Sequence, residues 1–328
     1  RFGPHLLLAY REVLGQAELP GPVNRVITVG RPTLSREVWS VLENPSLVHI
    51  VLRGPEAYVA NPTRGAQVVD VIDVPRPATA EQRSQWVKPW VMAARRLHEA
   101  TLSTVTPAPP NWGEGGSDGS ARGSALAQQE MEVLRRPVTR PALALAVWEA
   151  SWPHDRLVLG ASRMIREMDQ IVGPKNIPVY SNRGLSGIDG TISTARGIAS
   201  AAVRAGASGI TRVVLGDLAF LHDAGSLLVE PGVEDLSRVH LFVANDGGGT
   251  IFDALEVSNS APQAARDRVL YTPQDADFEA LAKAYGWEYA AVNTRRELSD
   301  VLTRSDARLI VDLSLIHISE PTRRTPIS

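Results

Sequence analysis

Cysteine is absent from all 328 residues. That excludes disulfides, thiolate catalysis and zinc–thiolate sites, and it accords with a reducing cytoplasm. Long apolar runs are absent too: no stretch reaches the roughly 18 to 20 residues of a membrane span, and no signal-peptide pattern follows Arg1. No membrane insertion is expected. Neither sign of charge dominates, since 34 basic and 36 acidic residues are spread without long runs, so no nucleic-acid or membrane-surface footprint is expected. The seven histidines show no His-Glu-x-x-His or paired ligand spacing, and His98, His154, His222 and His240 read as surface or packing residues. No Gly-x-Gly-x-x-Gly fingerprint is formed around Gly187 and Gly190 or at Val29-Gly30-Arg31, which leaves dinucleotide binding without support.

What is present is enough apolar material, 44% of the chain, for two domains with separate cores. Apolar strands alternate with helices in the first half: strands at 25–29 and 48–52, short runs around 58–59 and 68–74, and helical periodicity at 5–14, 35–42 and 86–102. Residues 104–123 then string together Pro, Gly, Ser and Asn, which marks a linker or long surface loop. The expected organisation is a central α/β domain over 1–103, a linker and connecting helix over 104–136, and a second α/β domain over 137–312. Strands in that domain are expected at 156–159, 177–180, 210–215, 239–243, 288–292 and 308–311, and short continuous apolar strands between helices predict a doubly wound parallel sheet. Both ends are expected to be cut. The chain opens without an initiating methionine, and 313–328 (LSLIHISEPTRRTPIS) reads as translated sequencing adapter outside the fold.

In parallel sheets ligands sit beyond the carboxyl ends of the strands, so the residues just after each strand carry the chemistry. The strand at 210–215 ends in Gly216-Asp217. The strand at 239–243 ends in Ala244-Asn245-Asp246-Gly247-Gly248-Gly249, its asparagine 28 positions after the aspartate. Mg²⁺ takes hard oxygen ligands, usually one or two protein side chains plus phosphate and water. The Asp217 carboxylate, the Asn245 amide oxygen and a backbone carbonyl near Gly247 would form a half-shell open to a diphosphate, with glycines allowing close backbone approach. Taken separately, Gly-Asp as a helix cap and Asn-Asp-Gly-Gly-Gly as a turn are the alternative reading.

With these motifs the chain resembles the thiamine diphosphate superfamily, although Leu218 stands where many members have glycine and Ala244 where many have asparagine. The segment Tyr180-Ser181-Asn182-Arg183-Gly184-Leu185-Ser186-Gly187-Ile188-Asp189-Gly190, with Gly216-Asp217-Leu218 and Thr250-Ile251-Phe252, is similar to one branch. That branch is the SEPHCHC synthase family (2-succinyl-5-enolpyruvyl-6-hydroxy-3-cyclohexene-1-carboxylate synthase) of menaquinone biosynthesis. The resemblance covers roughly residues 1–311, and the pyrimidine-binding domain that precedes them in the family is not among them.

The resemblance implies a decarboxylating carboligase of the cytoplasm, a homo-oligomer of at least two copies. It would use thiamine diphosphate and Mg²⁺ to transfer the succinyl semialdehyde unit of 2-oxoglutarate onto isochorismate. It implies Ile188 as the apolar wedge under the folded cofactor, Ser186 and Gly187 as backbone partners of the aminopyrimidine, and Gly216, Asp217, Asn245 and Gly247 around the metal and diphosphate. Arg183, Arg166 and Ser162 would act as groups for substrate carboxylates, for which arginine's planar fork is suited. Ile251 and Phe252 would line the pocket, with core packing as their alternative, while Arg163 and Arg156 read as solvated charges. The family's proton-transfer glutamate comes from the domain outside this chain, so turnover by the chain alone is not expected. An acetolactate synthase, a 2-oxo acid decarboxylase and a non-catalytic α/β binding module are the competing readings.

Overall fold

The computed structural model describes residues 6–30, 32, 35–54, 61, 64–73, 78–106, 119–182, 187–229 and 237–315. It divides into two units, Arg1–Thr106 and Pro107–Ser328. Among the described residues no helix is long and apolar enough to cross a membrane.

In the first unit three parallel strands, β1 (Arg25–Val29), β2 (Val48–Leu52) and β3 (Gln67–Val69), lie in the order β1-β2-β3. Three helices, α1 (Tyr10–Leu14), α2 (Arg36–Leu42) and α3 (Ala80–Ser103), accompany them, and Val13, Trp90 and Ala94 form a small core. The predicted runs at 58–59 and 74 lie outside the described residues. Helix α3 begins six residues before the expected 86, because Thr79 and Gln82 form a reciprocal capping box. The T-x-x-Q spacing was legible as a helix start.

The second unit is a six-stranded sheet, all parallel, in the order β5-β4-β6-β7-β9-β8. Its strands are β4 (Arg156–Leu159), β5 (Val179–Ser181), β6 (Thr211–Gly216), β7 (Val239–Asn245), β8 (Glu288–Val292) and β9 (Arg308–Ser314). Its α-helices are α4 (Gly119–Arg135), α5 (Arg140–Ala150), α6 (Arg163–Ile171), α7 (Thr191–Arg204), α8 (Asp217–His222), α9 (Glu256–Ser260), α10 (Gln263–Arg266), α11 (Phe278–Tyr285) and α12 (Arg295–Leu302). This is the doubly wound α/β architecture predicted from the alternation. The central strands are buried at successive positions rather than alternate ones, as Val213, Val214 and Leu215 on β6 show, because helices cover both faces. Core packing centres on Phe220 and Phe278, whose rings lie 4.8 Å apart, with Leu215, Leu241, Val243 and Ile310 around them.

Strand β9 runs three residues past the expected 311. Leu313 is fully buried and pairs with Ala244 and Val292, and Leu315 N–H donates to Asn245 O at 2.7 Å. Leu313 and Ser314, set outside the fold from the sequence, are therefore in the sheet. The apolar side chain at 313 completes the layer beside β7.

The amino-terminal edge of β4 and β6 is held by charge. Asp155 accepts from Ile210 N–H, Trp152 N–H and the Arg212 guanidinium at 2.7, 2.9 and 2.8 Å. Arg156, expected to be solvated, is instead buried and donates to Thr211 Oγ1, Ser208 O and Gly209 O. Gly209 has φ +98°, and a Cβ there would lie 2.3 Å from His154 O, so only glycine closes this turn. At the other edge Thr294 and Glu297 cap α12 reciprocally. Thr294→Ala is expected to cost about 1 kcal/mol in chemical denaturation, the usual worth of such a cap.

Candidate functional site

The chain passes from β4 to the edge strand β5 and returns across β4 to β6. Reversal of direction opens a crevice at the carboxyl ends of β4 and β6, the usual place for a ligand in an open parallel sheet. A pocket of about 110 Å³ lies there, lined by Ser162 after β4, Gly216 at the end of β6 and Asp217 after it, Asp246 and Gly248 after β7, and Ile188.

Asp217 opens α8, is 2% exposed, and takes Leu218 N–H on Oδ1 at 2.7 Å. Burial, then the nearby Asp246 carboxylate, pushes it up to about 6, while bonds from Gln274, Leu218 and Gly248 pull the other way. Asn245 sits on the neighbouring strand end, since Gly216 pairs with Ala244 across β6 and β7. Its Oδ1 accepts from Gln274 Nε2 at 3.1 Å and from Gly247 N–H at 3.4 Å. The same Gln274 Nε2 donates to Asp217 Oδ2 at 3.0 Å, and the Gln274 backbone N–H donates to Gly247 O at 3.2 Å. A carboxylate oxygen, an amide oxygen and a backbone carbonyl thus meet around one residue, 274, which the sequence did not single out.

This donor set fits Mg²⁺. All three atoms are hard oxygens, one is charged, and the buried Asp217 beside Asp246 is a carboxylate that a cation would stabilise. Among the described residues no group of three His, Asp or Glu side chains forms an alternative cluster.

Asp246 is not part of that convergence. Its Oδ2 accepts from Arg140 Nε at 3.1 Å and Nη2, and from Thr250 Oγ1, which ties the glycine turn to the start of α5. Gly248, with φ +153°, approaches so closely that a Cβ would lie 2.4 Å from Tyr271 O. The turn's glycines therefore serve packing against 267–271 as well as leaving backbone open.

Ser162 caps α6, accepting from Met164 N–H at 3.3 Å, and it is buried in the pocket lining. Arg166, one turn on, is exposed and is not among the lining residues; Arg163 is, and it pairs with Glu167 and with Asp253 at 3.2 and 3.0 Å. The first residue after the Ser162 cap faces the mouth, so the helix phase puts 163 in the lining. Ile188 lines the pocket and also packs on the core. It is held near Asp217 because Asp223, just after α8, accepts the Ile192 and Ser193 N–H groups at the start of α7. Gly187 is exposed. Ile251 and Phe252 are both in the lining, Phe252 with 37% exposure. Arg183 and Ser186 lie outside the described residues.

The wholly parallel sheet, with Asp217 following one central strand and Asn245 ending the next, defines a doubly wound α/β domain with an oxygen-rich site at its switch point. No protein-family model matches the chain. It is 50% identical over 321 residues to the 2-succinyl-5-enolpyruvyl-6-hydroxy-3-cyclohexene-1-carboxylate synthase of Leifsonia xyli subsp. xyli, covering 94% of this chain and 53% of that protein. It is 45% identical over 323 residues to the synthase of the same name from Clavibacter michiganensis subsp. michiganensis, covering 96% and 54%. Over nearly its whole length the chain is thus related to these synthases, and it spans about half the length of the curated relatives it matches. Among solved structures, benzoylformate decarboxylase from Polynucleobacter necessarius aligns over 89% of this chain and 49% of that one with a TM-score of 0.55. At 14% identity this is a likeness of fold.

Proposed function

We propose that the chain supplies the diphosphate- and Mg²⁺-binding part of a cytoplasmic, homo-oligomeric carboligase of menaquinone biosynthesis. The full enzyme would decarboxylate 2-oxoglutarate and add the remaining succinyl semialdehyde unit to isochorismate by conjugate addition. The observation that carries this reading is the convergence of Asp217 Oδ2, Asn245 Oδ1 and Gly247 O around Gln274, in a chain whose relatives are named for that chemistry.

Asp217, Asn245 and Gly247 would hold Mg²⁺, and the backbone at Gly216, Ser186 and Gly187 would meet the cofactor with Ile188 beneath it. Thiamine diphosphate, when bound, supplies the carbon nucleophile that makes loss of CO₂ and carbon–carbon bond formation possible. The chain's own residues would position and shield: Ile251 and Phe252 exclude water, and Ser162, Arg166 and Arg183 bind substrate carboxylates. Arg163 joins them as a pocket-lining cation.

The test is product analysis on a protein of the relatives' full length, supplied with both substrates. One CO₂ released per ring adduct supports the reading. Release without adduct, or condensation of pyruvate instead, would point to a decarboxylase or an acetolactate synthase. Arg183→Ala and Arg166→Ala are each expected to raise the KM of a carboxylate substrate roughly 10- to 100-fold, the worth of one charged hydrogen bond. The 328-residue chain alone is expected to turn over nothing; carboligation by it would contradict that.

A further inference from the structure

An asparagine can serve a cation only if its oxygen, and not its isosteric NH₂, faces the metal. The structure shows what decides this at Asn245. Its Nδ2 donates to Asp312 Oδ1 at 3.1 Å, and Tyr289 OH donates to the other oxygen of that carboxylate at 3.1 Å. On the opposite side Asn245 Oδ1 meets two donors, Gln274 Nε2 and Gly247 N–H. Flipping the amide would set NH₂ against two donors and oxygen against a carboxylate. Gln274 uses its two Nε2 hydrogens on Asp217 Oδ2 and Asn245 Oδ1, and a cation at Asn245 Oδ1 would take the lone pair that the long 3.4 Å contact from Gly247 N–H now occupies. Its own Oε1 is anchored by Ala276 N–H at 2.9 Å.

We propose that Asp312, braced by Tyr289, and Gln274 are the positioning residues of the cation site. Asp312 selects the oxygen face of Asn245, and Gln274 sets the separation of the two side-chain ligands. None of the three would itself be a ligand of the metal. The inference rests on the Mg²⁺ reading of Asp217 and Asn245. It comes from strands β8 and β9 and from the segment before α11, none of which carries a cofactor motif.

The experiment is titration of the full chain with Mn²⁺, reading free Mn²⁺ by its electron paramagnetic resonance, with and without thiamine diphosphate. Asp312→Leu, which removes the acceptor, and Gln274→Met should each weaken Mn²⁺ binding about tenfold, the usual effect of removing a partner of a metal ligand. At saturating Mn²⁺ each should leave thiamine diphosphate affinity at the parent's level. The exchanged pair Asp312→Asn with Asn245→Asp should restore Mn²⁺ affinity, because a carboxylate at 245 presents oxygen whichever way it turns. Tyr289→Phe, which deletes one hydroxyl, should weaken binding less than Asp312→Leu and in the same direction. Parent-like Mn²⁺ affinity in Asp312→Leu or Tyr289→Phe, or a folded exchanged pair that binds as weakly as Asp312→Leu, would overturn the proposal. If Asp217→Ala leaves Mn²⁺ binding intact, the cation site itself is wrong. If Asp217→Ala abolishes binding while these variants do not weaken it, only the positioning roles are wrong.

Discussion

Asp217→Ala is expected to lower Mg²⁺-dependent thiamine diphosphate affinity at least about 100-fold, measured by calorimetry with and without the metal. Of the three converging oxygens only Asp217 Oδ2 belongs to a charged group, and it is buried, where a charge acts with little screening. The oxygens of Asn245 and Gly247 alone leave a divalent ion short of charge. A hundredfold loss corresponds to about 2.7 kcal/mol, modest for an ionic ligand in such a place. The metal-free fold should respond in the opposite sense. Burial and Asp246 push Asp217 up to about 6 from an ordinary 3.8, so folding binds a proton between those values, and the ionised form carries its penalty above pH 6. The displacement corresponds to about 3 kcal/mol. Asp217→Asn removes it at the cost of about one hydrogen bond. Metal-free Asp217→Asn is therefore expected to gain about 1 to 2 kcal/mol at pH 7 to 8 and nothing below pH 4. A variant that binds cofactor and metal like the parent would remove Asp217 from the site.

Asp155→Ala is expected to destabilise the carboxy-terminal unit by about 3 to 5 kcal/mol, because it strands a guanidinium that is 5% exposed. The carboxylate also holds Ile210 and Trp152 N–H groups, so three donors lose their acceptor together. The pH dependence follows from the same contacts. Burial alone would raise Asp155, but the Ile210 and Trp152 N–H groups and Arg212 outweigh it and hold the carboxyl below 3.8. Its contribution is therefore fully present above 3.8 and is lost as pH falls through the lower folded value. The gap between parent and Asp155→Asn in urea denaturation should be constant from pH 5 to 8 and narrow below pH 3.8. A gap under 1 kcal/mol at pH 7 would contradict the assignment.

How much of this was legible depends on how local each signal is. Strands β1, β2, β4 and β8 fall at the residues predicted, because a run such as Arg156–Leu159 between helices announces itself. Strands β6 and β7 run on into Gly216 and Asn245, and their adjacency follows from neighbouring parallel strands. The insertion of β9 between β7 and β8 did not follow from the order of elements. Within the site, Asp217 and Asn245 stood out through the strand ends that carry them. Gln274 is 57 and 29 residues from the two side chains it bridges, and Arg140 is 106 from Asp246. No short motif could reveal such pairs. That Arg163 lines the pocket while Arg166 is exposed is a matter of helix phase, set by the Ser162 cap. Arg156 looked like a surface charge because three of its partners are carbonyls and a hydroxyl, which carry no charge signal.

The central claim is that Asp217, Asn245 and Gly247 are three ligands of one cation. Crystals grown with Mn²⁺ and thiamine diphosphate test it most directly, because manganese is located by its anomalous scattering. The account predicts one Mn²⁺ peak at coordination distance, about 2.1 Å for the Mg²⁺ it replaces, from Asp217 Oδ2, Asn245 Oδ1 and Gly247 O. A peak elsewhere, or one ligated by Asp246 in place of Asn245, would contradict it.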